Sequence, residues 1–462
     1  MRAFAVARTA PTPREATAWL WFGAAAVYIV VLTAGMSRVS YDVWGALVLG
    51  PILAALSLPV IRKAVRHDDP TLVTLFTVAF VAKLAGAVAR YLITFNAYGA
   101  ADADEYHVAG SELAHGFWSG DFGAVFARQV PDLVGTEFIR LVTGLLYVVT
   151  GPTRLGGFLV FAVLSFWGLF FFARALRIGF PEADHRRYAW LVLFLPSLVY
   201  WPSSIGKEAW MCFTLGLATY GVALILSHQP LGYPYAGLGL AGTAMVRPHV
   251  TMLCLVALFM GYVLRRRSWR QSMFGPVGKV TGIVVLLMVG GFALGATARF
   301  FALDAVDSQA VDSVLTYTEN QSEQGGSEFE STRATSPAQY PLATVTVLFR
   351  PFPWEAGNSQ AFGAAAEGAL LIVVCAVSWR RLVRLPGFFW RTPYVVYCLA
   401  FTAMFIFAFS SISNFGILTR QRTQLFPFFL VLLSLPLPRL HPGNGRAQKL
   451  PAKEFPAREI PL

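Results

Sequence analysis

Charged residues are scarce in this sequence. They make up 13% of its 462 residues, whereas 56% of the residues are hydrophobic and 38 are Phe. The length alone would accommodate about three soluble domains. Apolar runs close to the length of a bilayer crossing recur from end to end, however, and this is typical of a polytopic membrane protein. We therefore predict an all-α membrane protein with about 12 transmembrane helices.

Cysteines and metal-binding motifs are equally sparse. No HExxH motif and no His/Asp cluster with the spacing of metal ligands occurs. We therefore assign no residue to a metal, and a requirement for a divalent metal stays open. The cysteines lie within apolar runs without CxxC spacing, which indicates small core residues. They are Cys212, Cys254, Cys375 and Cys398.

The transmembrane helices are assigned by length and apolarity and oriented by the Lys and Arg residues of short loops. The net charge is +12, but the basic residues sit in those loops, so we predict no nucleic-acid partner. The predicted spans are 18–35, 44–62, 71–95, 154–176, 188–203, 208–227, 231–248, 250–264, 279–300, 360–378, 392–410 and 423–438.

The N-terminus is placed in the cytoplasm, because the basic loops then alternate consistently. The first helix is expected to be retained, since no clear small-x-small cleavage site follows it. The long loops 96–153 and 301–359 then lie outside a bacterial plasma membrane. The basic segments that lie inside are 62–66, 174–187, 265–270, 380–384 and the tail 439–462.

This orientation requires that "EFIRLVTGLLYVVTG" (137–151) does not cross the bilayer. A segment of about 15 residues that contains Glu137 and Arg140 suits a helix on the membrane surface. The loop 301–359 is expected to be flexible, either covering a site or only connecting spans. The predicted organisation is an N-terminal arm with two additional helices (1–70), a core with the acidic loop (71–300), an outer loop (301–359), C-terminal helices (360–438) and a cytoplasmic tail (439–462).

Polar residues gather on the outer side in this topology. An acidic group together with several cations at a bilayer surface suits an anionic lipid-linked ligand and a proton-accepting carboxylate. The candidate catalytic residues are Asp102, Asp104 and Glu105. The candidate substrate-binding residues are Tyr106, His107, Lys207, Glu208, Arg247, Arg350, Trp354, Arg420 and Arg422.

The acidic stretch "ADADEYHVAG" (100–109) also has a structural interpretation. Asp102 and Glu105 have the spacing of a capping box at a helix start. Asp104 has no capping role, although it would interact favourably with the helix dipole. His107 alone is typical of a packed or surface histidine. The sequence leaves both interpretations of these residues open.

The basic candidates have structural alternatives as well. Lys207 and Glu208 would also fit a solvated helix start. Arg420 and Arg422 would also fit boundary residues whose charged ends reach the lipid headgroups. These alternatives stay open.

Lys83 is an unusual residue for the middle of a predicted span. A lysine near mid-bilayer is costly and is a functional candidate. It shares a helix face with Arg90, seven residues on. It could equally be paired within the bundle, for instance with Glu367 of the tenth span, and we favour this structural pairing.

The order of these parts resembles the membrane-embedded GT-C glycosyltransferases, the class that includes the protein O-mannosyltransferase and aminoarabinose transferase families. A span leads to the acidic outer stretch "ADADEYHVAG", and a surface helix follows. A later span ends outside in "LPSLVYWPSSIGKEA" (195–209), and the Arg-rich turn "LTRQRTQ" (418–424) precedes an apolar run. The resemblance covers roughly residues 71–260 and the final turn. It departs from the usual plan by two helices before the one that leads into the acidic loop.

This resemblance implies transfer of a sugar from a polyprenyl-phosphate carrier to a glycan, lipid or protein acceptor on the outer side, with inversion at the anomeric carbon. It implies that Asp102 or Asp104 acts as the base, and the pair Asp104–Glu105 matches the family's "DE" pair. Cations would stabilise the departing prenyl phosphate. The implied phosphate contacts are Lys207, Arg420, Arg422 and, less directly, Arg350; Trp354 and Tyr106 would stack on sugars.

Two other classes of function stay open. A polymerase or ligase of the O-antigen type would also handle lipid-linked glycans and would rely on outer arginines more than on an acid. A transporter or flippase would typically show repeated halves and helices broken near mid-membrane. The sequence shows no internal repeat.

Overall fold

The computed structural model describes residues 13–66, 69–97, 102–123, 133–265, 275–301, 308–322 and 328–437. Within these ranges the chain is helical, and its only β pairing is an isolated bridge between Glu328 and Asn414. The predicted all-α class is therefore confirmed for the described chain.

The helices fall into two runs. Those before residue 245 are α1 (Pro13–Arg38), α2 (Tyr41–Arg66), α3 (Pro70–Ala97), α4 (Asp102–Trp118), α5 (Thr136–Thr150), α6 (Arg154–Gly179), α7 (His185–Phe194), α8 (Pro196–Tyr200), α9 (Lys207–Leu226) and α10 (Gly232–Ala244). Those after it are α11 (Pro248–Val263), α12 (Gly275–Phe300), α13 (Ser308–Ser322), α14 (Tyr340–Phe349), α15 (Ser359–Val377), α16 (Trp379–Leu382), α17 (Leu385–Phe389), α18 (Pro393–Phe409), α19 (Phe415–Gln421) and α20 (Phe426–Leu432), with 3-10 turns at Pro353–Glu355 and Arg422–Gln424.

Six described helices are long and apolar enough to cross a membrane, namely α2, α3, α6, α9, α12 and α15. Each coincides with a predicted span, so the described chain is consistent with a multi-pass membrane protein. The other predicted spans correspond to α1, to shorter helices or to broken ones. The apolar helices α11 and α18 have 16 and 17 residues, and α10 has 13.

The predicted span at 188–203 is not one continuous helix. Helix α7 ends at Phe194, and α8 begins at Pro196 after Leu195, which has an extended backbone (φ −60°, ψ 124°). Proline has no N–H to donate and disfavours the helical conformation of the preceding residue. A hydropathy analysis does not detect this break, because the residues on both sides of it are apolar.

The predicted span at 423–438 is not among the six membrane-length helices, and it stays a prediction. Its described part begins within the 3-10 turn Arg422–Gln424 and continues in α20, whose seven residues are all buried. Helix α20 packs against α18 and α7.

Helices α6 and α9 cross closely because glycines face each other at the contact. A Cβ atom on Gly216 would lie 2.2 Å from the carbonyl oxygen of Gly168. One on Gly168 would lie 2.2 Å from the carbonyl oxygen of Cys212. Small residues at such crossings allow the backbones of membrane helices to approach.

The short helix predicted at 137–151 is α5. It packs against α4 through a second glycine contact, where a Cβ on Gly144 would lie 2.7 Å from the Cβ of Leu113. The position of α4 and α5 relative to a bilayer surface stays a prediction.

The predicted flexible loop 301–359 contains α13 and α14, and residues 302–307 and 323–327 lie outside the described chain. Its following segment is held against residues 410–413. The N–H of Phe329 donates to the carbonyl of Ser413 (2.7 Å), and the N–H of Ala334 donates to the Ser410 hydroxyl (3.1 Å). The described part of this loop is therefore attached by hydrogen bonds to the segment after α18.

Basic loops that were predicted to share one side meet at one end of the bundle. Arg187 donates to the Ser378 hydroxyl (2.6 Å) and to the carbonyl of Leu433 (3.1 Å). Arg381 donates to the Asp184 carboxylate (2.9 Å). The loops before α7 and after α15 thus lie side by side. Most of the predicted basic loop 265–278 lies outside the described residues.

Candidate functional site

Four side chains from distant parts of the chain meet in one ion-pair cluster. Arg420 Nη2 lies 2.9 Å from Oδ2 of Asp102 and 3.4 Å from Oε1 of Glu208. Arg247 Nη2 lies 3.5 Å from the same Glu208 oxygen. These residues come from the start of α4, the start of α9, the turn before α11 and the end of α19. We call this group the central cluster.

The members of the central cluster differ in exposure. The side chain of Asp102 is 63% exposed, whereas those of Glu208 and Arg247 are 8% and 9% exposed. Glu208 is therefore not part of a solvated helix start, and that alternative is wrong for this residue. A ligand from outside would meet Asp102 first.

Lys207 and Tyr106 border the central cluster. Lys207 is half-buried, carries its charge close to Glu208 and Arg247, and donates no hydrogen bond to any described residue. Tyr106 is 5% exposed, and burial raises the pKa of its hydroxyl. Its ring therefore packs against protein and offers no open face for stacking on a sugar.

The charge of the central cluster with Lys207 favours an anion. Three cations (Lys207, Arg247, Arg420) face two carboxylates (Asp102, Glu208). Nη1 of Arg247 is buried and has no hydrogen-bond partner in the described chain. Because an unpaired buried charge is costly, this arrangement is suited to a negatively charged ligand.

The other two acids in the first turn of α4, Asp104 and Glu105, have different partners. Arg154 Nε donates to Asp104 (2.8 Å), and Arg154 Nη1 donates to Asp42 at the start of α2 (2.6 Å). Glu105 pairs with Arg140 of α5. The first turn of α4 thus serves three separate contacts, and Asp104 has a defined structural partner beyond the helix dipole.

His107 lies close to the carboxylates of Asp42 and Asp104 and is not part of the central cluster. Its Nδ1 is 2.8 Å from the Tyr147 hydroxyl, and its Nε2 is 3.8 Å from Asp42. Burial, helped by the charge of Arg154, lowers the pKa of His107. The ring is therefore neutral at physiological pH and is a packed histidine.

Arg350 is neutralised within its own turn. Its Nη2 and Nε donate to Glu355 Oε1 at 2.6 and 3.0 Å, and its guanidinium lies over the Phe329 ring. Burial opposes ionisation of Glu355, but the hydrogen bonds from Arg350 and the Phe352 N–H outweigh it and lower its pKa. Trp354 is 81% exposed and stacks on Phe352.

Arg422 is fully buried, with 0% exposure. The alternative that it reaches lipid headgroups is therefore wrong. Its Nη1 donates to the carbonyl of Arg350 (2.6 Å), and its Nη2 lies 3.9 Å from Glu367. Its Nε and Nη2 have no hydrogen-bond partner in the described chain.

The predicted pair of Lys83 with Glu367 is wrong. Lys83 Nζ donates to the carbonyl of Leu198 (2.5 Å), whereas Glu367 accepts from the N–H and the hydroxyl of Ser197 (both 2.5 Å). The two residues hold opposite ends of the short helix α8. A cation at the carboxyl end and an anion at the amino end complement the helix dipole and supply partners for backbone groups that the break leaves free.

An apolar groove of about 440 Å³ opens beside α8. Its walls are the end of α3, the broken helix and the first turns of α15. The lining residues are Ile93, Pro196, Ser197, Tyr200, Trp201, Ser359, Gln360, Gly363, Ala364 and Glu367.

Trp201 connects this groove to the central cluster. The guanidinium of Arg90 lies 4.6 Å from the centre of the Trp201 ring, and that of Arg420 lies 5.9 Å from it. Sequence reasoning missed Trp201, although an aromatic pair at the end of the predicted span 188–203 was a usable signal. It also missed Asp42 and Arg154, for which the sequence contains no pairing signal.

Within the described chain no group of three or more His, Cys, Asp or Glu side chains is arranged to hold a metal ion. Comparison with protein-family models, with curated proteins and with solved structures finds no match to this chain.

Proposed function

We propose that the protein is an integral membrane glycosyltransferase that moves a sugar from a polyprenyl-phosphate carrier to a cell-envelope glycan, lipid or protein. The observation that carries this proposal is the central cluster, which combines an exposed carboxylate with several cations, beside an apolar groove between membrane-length helices. A phosphate group with an apolar tail matches both parts at once.

Asp102 is the proposed base. It takes the proton of the acceptor hydroxyl while that oxygen attacks the anomeric carbon. The bond from this carbon to the phosphate oxygen breaks with inversion, and the prenyl phosphate leaves with the electron pair. Exposure supports Asp102 over Asp104, because the side chain of Asp102 is 63% exposed and that of Asp104 is 35% exposed.

Lys207, Arg247 and Arg420 are the proposed phosphate contacts. Charge that develops on the leaving phosphate is stabilised by preorganised donors. Arg350 and Arg422 are left out of this role, because Arg350 is paired with Glu355 and Arg422 is enclosed by protein.

The proposed site faces the outside of a bacterial plasma membrane. The support is the position of the basic loops, which meet near Arg187 and Arg381 and would be cytoplasmic under the positive-inside rule.

The test is release of polyprenyl phosphate from radiolabelled polyprenyl-phosphate hexoses by the purified protein in lipid nanodiscs. Asp102→Asn should lower turnover by about a hundredfold or more, the usual scale for loss of a general base. Glu105→Gln is the matched control in the same helical turn and should retain activity. Near-normal turnover of the Asp102→Asn variant would remove the proposed base.

A flippase for lipid-linked glycans is the second candidate, and one observation favours it. Helix α8 is a discontinuous segment held by the buried residues Lys83 and Glu367, and broken helices with ionisable partners are typical of transporters. A reconstituted protein that moves the carrier across vesicles without cleaving it would favour this function over transfer. If the protein is instead an O-antigen-type ligase, the Asp102→Asn variant should still transfer the glycan.

A further inference from the structure

Arg90 is a cation of α3 that the proposed reaction does not use. Its Nη1 donates to the Tyr200 hydroxyl (2.8 Å), and its guanidinium lies 4.7 Å from the Tyr200 ring centre and 4.6 Å from that of Trp201. It forms no ion pair with a described carboxylate, and its Nε is buried without a hydrogen-bond partner. The aromatic rings hold the side chain in place and leave its charge uncompensated.

The apolar groove begins beside this cation. Ile93 lies one helical turn beyond Arg90, and it lines the groove together with Tyr200 and Trp201. The facing wall is the first part of α15, where Gly363 leaves open space. An amphiphile with its apolar chain in the groove would have its polar end next to Arg90.

We propose that Arg90 binds the phosphate of the lipid carrier, with the first part of the isoprenoid chain in the apolar groove. This inference rests on the proposed function and adds to it a binding residue and a lateral entry route between α3 and α15. The phosphate would then lie between Arg90 and Arg420, which both approach Trp201. An unpaired charge on a membrane-length helix is costly, and a phosphate compensates it.

The size of the apolar groove favours a prenyl chain over a two-chain phospholipid. Its volume of about 440 Å³ lies within the range of sites that enclose one small ligand. Its lining is mainly apolar, so it suits hydrocarbon directly next to the charged end.

The first experiment measures binding of a long-chain polyprenyl monophosphate and of the neutral polyprenol to the purified full chain. Arg90→Gln should weaken phosphate binding by about tenfold, the scale of one lost charge-assisted hydrogen bond, and leave polyprenol binding unchanged. Arg90→Lys keeps the charge and should retain part of the affinity. Tyr200→Phe removes the hydrogen bond that positions Arg90 and keeps the ring, so it should show only part of the Arg90→Gln effect on phosphate binding.

The second experiment fills the groove. Gly363→Leu points a side chain into open space and should weaken binding of both prenyl ligands. Gly237→Leu is the matched control, since Gly237 is also helical and has nothing within 4 Å of an added Cβ. Phosphatidic acid should compete poorly with the polyprenyl phosphate for the wild-type protein.

Unchanged phosphate binding in Arg90→Gln would overturn the proposal, as would a Tyr200→Phe variant that reproduces the whole Arg90→Gln effect. Equal competition by phosphatidic acid, with no effect of Gly363→Leu, would show that the site takes any lipid phosphate. Failure of this proposal can be distinguished from failure of the proposed function. A protein that binds polyprenyl phosphate through Arg90 but does not cleave polyprenyl-phosphate sugars would refute only the proposed transfer reaction.

Discussion

Nη2 of Arg420 lies 2.9 Å from Oδ2 of Asp102, although 318 residues separate them in the chain. This ion pair joins the start of α4 to the end of α19 and forms the open side of the central cluster. Exposed ion pairs contribute little to stability. Variants of Asp102, whose side chain is 63% exposed, should therefore report on ligand binding and catalysis rather than on folding.

Arg420→Ala should weaken binding of polyprenyl monophosphate by about tenfold or more, the scale of one lost charge-assisted contact. Stability should fall as well, because the buried Glu208 carboxylate loses one of its two arginine partners. Arg420→Lys should also lose affinity if the contact is bidentate, because an ammonium group cannot reproduce the guanidinium fork. Lipid binding and thermal unfolding of the same samples provide the check. Unchanged affinity in both variants would remove Arg420 from the site.

Arg422→Ala should behave in the opposite way. Its side chain is fully buried next to Glu367, and removal of one partner of a buried pair costs about 3–5 kcal/mol. The measurement is the unfolding free energy in detergent. The double variant Arg422→Met with Glu367→Gln removes both charges and should regain part of the loss. A fully stable Arg422→Ala protein with weak carrier binding would point to a ligand role instead.

The close contact of α6 with α9 predicts that alanine substitutions at two glycines, Gly168 and Gly237, change stability in opposite directions. Gly168→Ala should lower stability by about 1–3 kcal/mol, the cost of overpacking, since the new Cβ would meet backbone of Cys212 at 2.2 Å. Gly237→Ala places its methyl group in open space and should raise helix stability by up to about 1 kcal/mol. Equal stabilities of the two variants would contradict the close helix crossing.

His107 predicts a pH effect on stability. Burial lowers its pKa below the ordinary value of 6.5, so at low pH the unfolded chain binds a proton that the folded chain does not. Its contribution is complete above about pH 7 and decreases as the pH falls through 6.5 towards the folded-state pKa. The stability advantage of the wild type over His107→Asn should therefore shrink between about pH 8 and pH 5.5. Parallel pH profiles of the two proteins would show that His107 has an ordinary pKa.

The orientation is tested by cysteine labelling in whole cells. Ser119 follows α4 at the proposed outer end, and Glu182 lies in the basic loop before α7; both are exposed. A membrane-impermeant thiol reagent should label Ser119→Cys and leave Glu182→Cys unlabelled until the cells are opened. Wild-type protein measures the background of the native cysteines. The reverse pattern would place the central cluster in the cytoplasm and exclude the proposed donor.

The residue types at the site were predictable because each lies at the boundary of an apolar run. Hydropathy located the six membrane-length helices, and alternating basic loops placed Asp102, Lys207, Glu208, Arg247 and Arg420 on one side. The structure brings these residues close together, which the sequence indicated only as a shared side. The partner choices were not predictable, since Lys83 and Glu367 turned out to hold backbone groups of α8 that exist only because Pro196 breaks the helix.

The sequence by itself determined the class of this protein, because hydropathy and proline act locally on every segment of the chain. Tertiary structure alone decided which partner each of the three acids in the first turn of α4 meets. Successive helical positions point about 100° apart, so Asp102, Asp104 and Glu105 face different neighbours. Only packing determines that Asp102 meets Arg420 while Asp104 is held by Arg154.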